Sequence, residues 1–434
     1  MHPRRTGLWR HADFLRLWAG QTTSQFGSLV GGVALQFTAI LWLHAGAAQV
    51  SLLAACQFAP AAVCGLFAGA WVDRLRRRPL MIAADSGRAL ALASVPLTAL
   101  LGSLSLPQLY AVACLNSGLG VLFESAYEAY LPTLLPAEQI VAANSTLTAS
   151  ASVAEFGAFS AGGWLVQLFS SPATVLIDAL SFGVSAASLA AIRAPEGPPP
   201  APEQREPLRR EITEGARTIW RQPLLRALAG VHMLLECGGR IIGAVILLYL
   251  SREAGFGAGA QGMIFAIGGL TALAGAAAAG RERWFGGLGR ALTVAVLLRV
   301  AGIICVALTT SVSLLGVLLL VASQCISDPG YAFFEINAVS LRQTVTPAHL
   351  LGRVSATLRV LDFAAMLAGT ALAGVLGQLI GLQGTLFVAT GVVAGAALAL
   401  MLSPIARLHT MPEPPALART HGRGLSETGG GWLD

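Results

Sequence analysis

The sequence predicts an all-α integral membrane protein, with twelve transmembrane helices in two six-helix bundles related by a parallel pseudo-two-fold repeat. Three observations predict it. Of 434 residues, 55% are hydrophobic and only 12% charged, with a mean hydropathy of +0.68, whereas roughly 25% of residues in a soluble protein are charged. Apolar runs of about 20 residues, enough at 1.5 Å per residue to cross a hydrocarbon core about 30 Å thick, recur from end to end. The second half also repeats residues of the first at a fixed offset.

The same composition excludes whole classes of function. A two-domain soluble enzyme would need far more charge. The six cysteines (Cys56, Cys64, Cys114, Cys237, Cys305 and Cys325) all sit inside apolar runs without CxxC spacing, which argues against a secreted disulfide scaffold. All 28 basic residues are Arg; without Lys there is no G-x-x-x-x-G-K-[ST] phosphate loop, so the chain is no ATP-driven pump. The net charge of +6 is dispersed over short loops, which favours no nucleic-acid partner.

Taken in order, Met1 to Arg16 is polar and lacks a small-residue cleavage site, so it reads as a cytosolic lead-in. Cutting wherever charges, Pro or Gly clusters interrupt an apolar run gives six spans near 15–42, 48–72, 80–101, 107–131, 144–168 and 172–192. Six more lie near 224–250, 260–280, 290–310, 312–336, 352–380 and 383–402. The N-terminal bundle is thus 1–193 and the C-terminal bundle 223–404. Between them, the linker 194–222 begins APEGPPPAPEQREP, where Pro blocks helix propagation. It continues into an amphipathic stretch, 208–221, with Leu208, Ile212, Ala216 and Ile219 on one face, a surface helix that spaces the halves. The tail 405–434, rich in Gly, Pro and Glu from Met411, reads as disordered and cytosolic.

Arg placement orients the spans, because loops kept in the cytosol are enriched in basic residues. Arg4, Arg5 and Arg10 precede span 1; Arg74, Arg76, Arg77 and Arg78 follow span 2; five Arg lie in the linker; Arg281, Arg283, Arg342, Arg353, Arg407, Arg419 and Arg423 mark the later loops and tail. The alternate loops hold only Arg252. Both termini and the linker are therefore expected in the cytosol of a multi-pass cell-membrane protein.

An offset of 211 positions superposes Phe123-Glu124 on Phe334-Glu335 and Pro136-Ala137 on Pro347-Ala348. Gly163, Leu165, Gln167 and Leu168 likewise meet Gly374, Leu376, Gln378 and Leu379. Since 211 residues hold six spans, an even number, both copies share one orientation, the architecture of a transporter whose halves rock about a central site.

The loop after span 2 reads Gly69-Ala-Trp-Val-Asp73-Arg74-Leu-Arg76-Arg77-Arg78. It resembles the G-x-L-A-D-R-x-G-R-R signature of the major facilitator superfamily, with Arg76 where the family has its second Gly. Phe14-Leu-Arg-Leu-Trp18-Ala-Gly20-Gln21, Ser24-Gln-Phe-Gly27, Asp85, Arg88, Ala143-Asn144, Asp178-Ala-Leu-Ser181-Phe182 and Leu351-Gly352-Arg353-Val354 are similar to the drug/proton antiporter branch that holds macrolide and enterobactin exporters. The antiporter Gly-Pro signature of span 5 is present only as Gly157, Gly162 and Gly163, with Ala158 at the Pro position. The resemblance implies a cytosolic gate built from Gly69, Asp73, Arg74, Arg77 and Arg78, with Glu128 near the end of span 4 as a partner. It also implies that spans 1, 4, 7 and 10 line the path.

Some patterns are better rejected. Gly257-Ala-Gly259-Ala-Gln-Gly262 fits G-x-G-x-x-G, but no strand precedes it and helix packing is its better use. Asn144-Ser-Thr146 opens a span on the cytosolic side, out of reach of glycosylation. The seven His show no H-E-x-x-H or comparable ligand spacing, so neither metal nor cofactor is expected.

Ionisable side chains inside a bilayer are costly, and each is a candidate for function. Glu155 and Glu236 fall about eleven and twelve residues into spans 5 and 7; Asp362 falls about ten into span 11, and Asp328 precedes Pro329-Gly330, an expected helix break in span 10. A carboxylate removed from water binds protons more readily, so these four are the candidate proton or substrate carriers. Structural ion pairs compete as a reading: Glu236 with Arg240 at i,i+4, and Arg359 with Asp362 at i,i+3. Glu124 and Glu335 read as latch partners, Asp178 and Arg299 as fold-stabilising, and Gln21, Gln25, Gln36 and Phe26 as cavity-lining. The chain is thus expected to be a monomeric, non-enzymatic secondary transporter in the lipid bilayer that exports a hydrophobic or amphipathic small molecule in exchange for protons. Uptake of a small solute by a facilitator or symporter is the alternative; a membrane-embedded enzyme or assembly protein is more remote.

Overall fold

The computed structural model of the protein describes residues 8–72, 75–194, 196, 208–279, 281, 285–347 and 350–412. The gate residues Asp73 and Arg74, most of the Pro-rich linker and the tail from 413 lie outside the described residues. Among the described residues there are thirteen α-helices and no strand. The first six are α1 (Ala12–Phe37), α2 (Ala47–Val72), α3 (Arg77–Leu100), α4 (Leu106–Leu134), α5 (Ala137–Phe169) and α6 (Ser171–Ala190). The amphipathic stretch forms α7 (Leu208–Arg221). The second six are α8 (Pro223–Arg252), α9 (Ala258–Ala278), α10 (Leu288–Ala307), α11 (Leu314–Val345), α12 (Leu351–Leu379) and α13 (Gly381–Leu402).

Eleven of these are long and apolar enough to cross a membrane. The helix α5 is not among the eleven found over the described residues; its first half carries Asn144, Ser145, Thr146, Thr148 and Ser150. Several helices outrun the apolar stretch that predicts them; α5 has 33 residues and α11 has 32, some 50 Å of helix against a core of about 30 Å. Hydrophobicity stops at the edge of the lipid, but backbone hydrogen bonding does not. The expected break at Pro329-Gly330 is absent, since both lie inside the continuous α11. The Pro329 carbonyl lies against the bare backbone of Gly275 of α9.

The repeat is visible in helix boundaries and in packing. Ala12, Ala47 and Arg77, which open α1, α2 and α3, lie 211 positions before Pro223, Ala258 and Leu288, which open α8, α9 and α10. In the first half α1 packs on α5 and α6, α3 on α4 and α6, and α2 on α4; in the second half α8 packs on α12 and α13, α10 on α11 and α13, and α9 on α11. The halves meet through another repeat-related pair, α5 with α9 and α12 with α2.

Both of these contacts lie where α5 and α12 finish and α2 and α9 begin, the end opposite the linker. Small residues make the approach possible. A Cβ on Gly163 would collide with the Ala258 carbonyl oxygen and sit 3.0 Å from Gly262 Cα. One on Gly374, the repeat mate of Gly163, would lie 3.2 Å from Ser51 Cβ, and one on Gly377 would lie 2.5 Å from Ala47 Cβ. The Gly259 amide donates to Gln167 Oε1 at 3.1 Å, and Arg252 Nη2 donates to the Ile40 carbonyl at 3.3 Å. The G-x-G-x-x-G run of Gly257 to Gly262 therefore serves as a packing surface between halves.

At the linker end α7 lies on α12 and α8. Its packed face runs through Gly215, which abuts the Arg353 carbonyl and Thr357, and through Ile219, which is buried; Ala216 is exposed, contrary to the expected stripe. The absence of a side chain at Gly215 lets the backbones approach and rotates the contact by one residue. Glu214 pairs with Arg353 across this contact, both about one-third exposed. Glu214→Gln is therefore expected to cost about 1 kcal/mol or less, a shift measurable by thermal unfolding of the solubilised protein.

Candidate functional site

The helix α8 carries His232, Glu236 and Arg240 at successive turns of one face. Around this stripe the second bundle gathers its carboxylates. Glu335 Oε1 of α11 lies 3.7 Å from His232 Nδ1, and Asp362 Oδ1 of α12 lies 3.6 Å from His232 Nε2. Ligating atoms of His232, Glu236 and Glu335 fall within 4.8 Å of one another. Each ring nitrogen thus faces a carboxylate, an arrangement in which a protonated imidazole would present a donor to both sides and a neutral one to a single side. The Glu335 Oε1 and Asp362 Oδ1 atoms are buried without a hydrogen-bond partner. The trio of His232, Glu236 and Glu335 also offers one nitrogen and two oxygen ligands that a divalent cation could use.

Glu236 belongs to a second feature as well. A cavity of about 430 Å³ opens between the halves, lined by Gln36, Phe58, Glu236, Arg240, Arg299, Tyr331 and Thr370 among others. Glu236 Oε2 approaches Arg240 Nε at 3.9 Å, the pair that the i,i+4 spacing predicts. Arg240 in turn lies 5.3 Å from the Phe58 ring centroid, and Arg299 lies 4.8 Å from that of Tyr331. Gln36 donates to Gln57, which donates to the Gly32 carbonyl, fixing the wall contributed by the first bundle. Ala54 of α2 and Thr370 of α12, both in its lining, place the cavity about one helical turn below the α2–α12 contact at Ser51 and Gly374.

A more open cavity of about 940 Å³ lies toward the linker end, between α1 and α5. Trp9, Trp18, Thr22, Phe26, Val153 and Gly157 line it, and no charged side chain does. Trp18 is held by an indole hydrogen bond to Ser150 Oγ at 2.9 Å and by the edge of Trp9 at 5.4 Å.

The remaining sequence candidates scatter. Phe26 lines the apolar cavity; Gln21 and Gln25 are half-buried on α1, the Gln21 Oε1 atom without a partner. Asp328 sits against Gly268 of α9 rather than in either cavity. Glu155 is exposed on α5 and Arg359 on α12; Asp362 lies against His232, and the expected i,i+3 pair of Arg359 with Asp362 does not form. Gly69 falls near the end of α2, and Glu128 is exposed on α4. Arg78 donates to the Leu189 and Ala190 carbonyls at the end of α6, while the Arg77 and Arg78 amides donate to Glu196 at the start of the linker; none of these partners belongs to the C-terminal bundle.

Sequence reasoning missed His232, Gln57, Phe58 and Tyr331, and it gave Arg299 and Glu335 other roles. The signal for His232 was present in its four-residue spacing from Glu236. Arg299 stands 211 positions after Arg88 and was open to the same repeat argument.

Residues 17–363 match the profile of the Major Facilitator Superfamily. The chain is 29% identical over 377 residues to the multidrug efflux pump Tap of Mycolicibacterium fortuitum, covering 83% of this chain and 90% of Tap. It is 27% identical to the uncharacterized MFS-type transporter YfiS of Bacillus subtilis, covering 85% and 88% of the two chains. Among solved structures it superposes on the nucleoside transporter NupG with a TM-score of 0.70 at 14% identity, over 90% of this chain and 98% of that one. A bacterial homologue of the lysosomal transporter Spinster, inward-facing and unoccupied, gives 0.68 at 14% identity, over 94% and 98%.

Proposed function

This chain belongs to the major facilitator superfamily, and on that premise we propose that it is a secondary active exporter that exchanges an amphipathic small molecule for protons by alternating access. Movement of a small molecule by two rocking halves follows from the family and the twelve-helix fold. Export is supported by the similarity to a protein named as a multidrug efflux pump. The observation that carries the coupling is the double membership of Glu236, which lines the cavity while sitting in the cluster of His232, Glu335 and Asp362. A proton taken up by that cluster changes whether Glu236 holds Arg240, and so changes the charge presented to the substrate.

If the linker side is cytosolic, as the Arg distribution predicts, the seam between α5 and α9 and between α2 and α12 closes the outer end. The cavity then faces inward. Asp73, Arg74, Arg77 and Arg78, with Glu128, would form the latch that shuts the linker end in the other half of the cycle. The functional units would be 1–193, 194–222 and 223–404, acting as a monomer in the cell membrane.

Dye accumulation in inverted membrane vesicles tests this reading. Acidifying the lumen is expected to drive uptake of a lipophilic dye, with collapse on adding a protonophore. Glu236→Gln is expected to lower the initial rate about tenfold or more, equivalent to about 1.4 kcal/mol of lost coupling. Movement in the opposite direction would replace export by uptake, and dye movement indifferent to pH would remove the coupling.

A further inference from the structure

We infer that Arg299 binds an anionic group of the transported molecule, so that the cavity selects substrates with an acidic head attached to an aromatic or apolar body. The inference deepens the transport reading and rests on it, because it takes the cavity beneath the seam to be the substrate site.

The argument comes from comparing the two halves. Arg88 of α3 is the repeat mate of Arg299, and in the first half it is fully engaged. Its guanidinium lies 3.7 Å from Asp85, donates to Asn116 Oδ1 at 2.9 Å and covers the Phe182 ring at 3.7 Å, with Asp178 in electrostatic reach. Moved on by 211 positions, these partners become Val296, Ser327, Val393 and Ala389. The second half keeps the arginine and lacks counterparts of Asp85 and Asp178, while Glu335, the repeat mate of the more distant Glu124, and Asp328 remain within electrostatic reach of Arg299.

Arg299 is instead directed into the cavity, lying over Tyr331 and against the bare backbone of Gly239, where a Cβ would come 2.8 Å from its Nη2. Asp328 and Glu335 lie within electrostatic reach of Arg299, but neither closes an ion pair with it. Glu236 faces Arg240, Glu335 faces His232, and Asp328 is packed on Gly268. Among the described residues no carboxylate pairs with Arg299. The charged side chains lining the cavity are Glu236, Arg240 and Arg299; Glu236 sits by Arg240, so Arg299 is the cation facing the cavity without an ion-pair partner in the lining. A guanidinium without a close ion pair inside a membrane is costly to keep, and its planar fork matches a carboxylate or related anion. The rings of Phe58 and Tyr331 supply flat apolar surface beside it.

The test uses the full-length protein, solubilised and without any gradient, and three dansyl probes that share one fluorophore: dansylglycine, dansylamide and dansyl-ethylenediamine. Their fluorescence rises on entering an apolar site. Dansylglycine is expected to bind about tenfold tighter than dansylamide, as a charge-assisted hydrogen bond warrants, and the ammonium probe weakest. Arg299→Gln is expected to erase the advantage of dansylglycine while leaving dansylamide binding intact, which also reports an intact cavity; Arg299→Lys should retain part of the advantage. A preference for the ammonium probe, an anion preference that survives Arg299→Gln, or binding of none of the three would overturn the assignment. Anion binding without pH-linked transport would leave it standing and would sink the coupling reading alone.

Discussion

Gly163→Leu is expected to abolish transport while leaving the two bundles folded. The side chain would have to enter the space between α5 and α9, where the Ala258 carbonyl and the Gly262 backbone already stand, the latter 3.0 Å from the position of a Cβ. Overpacking of this kind costs about 1–3 kcal/mol where neighbours can give, and backbone gives less than side chains do. On the proposed alternating-access cycle the cost falls on one state, the seam-closed one that brings α5 against α9. Charging one side of a two-state equilibrium with 2–3 kcal/mol shifts it by roughly 30- to 150-fold. Hydrogen exchange read at residues 258–264 checks the mechanism, since their amides should lose protection in the variant. Gly374→Leu, whose nearest neighbours are the Ser51 side chain at 3.2 Å and Ala48 Cα at 3.3 Å, should act in the same direction but less strongly. Gly183→Leu serves as the control, with nothing within 4 Å of its Cβ. Equal damage at 163 and 183 would mean that the seam has no special part in the cycle.

That seam also shows what the sequence can and cannot disclose. The repeat was legible because Gly163 and Gly374, Gln167 and Gln378, and Phe123-Glu124 and Phe334-Glu335 share one offset, and the offset carries through to the helix starts. Which helices the two glycines face was not legible. Residue type records that a close approach is tolerated, whereas the partner depends on how each helix is rotated about its axis. The same limit governed the charges. Glu236 and Arg240 are local in sequence and their pairing could be read from spacing. Asp362 was equally well spaced from Arg359, yet it lies against His232, because α8 places an imidazole within reach of it. Asp328 and the Pro329-Gly330 step looked like a cavity feature, and the continuity of α11 sets Asp328 against α9 instead. Local pairs can be derived from helical periodicity; clusters drawn from three helices require the packing.

His232→Gln is expected to uncouple the protein, with a loss of gradient-driven accumulation of about 100-fold and a much smaller change in exchange without a gradient. Glutamine keeps a donor and an acceptor near Glu335 and Asp362, at the place where the imidazole lies 3.7 and 3.6 Å from them, but it cannot take up a proton. If His232 only held α8 to α11 and α12, glutamine would preserve much of that role and both assays would fall together or not at all. A proton carrier predicts a split between them. Glu335→Gln and Asp362→Asn each remove one of the facing carboxylates, and since the three groups form one network their effects should not add. The double variant His232→Gln with Glu335→Gln should therefore accumulate no less than His232→Gln alone. Gradient-driven accumulation at the wild-type level in His232→Gln would move the coupling site away from this cluster, leaving Glu236 in the cavity as the group through which protons and substrate communicate.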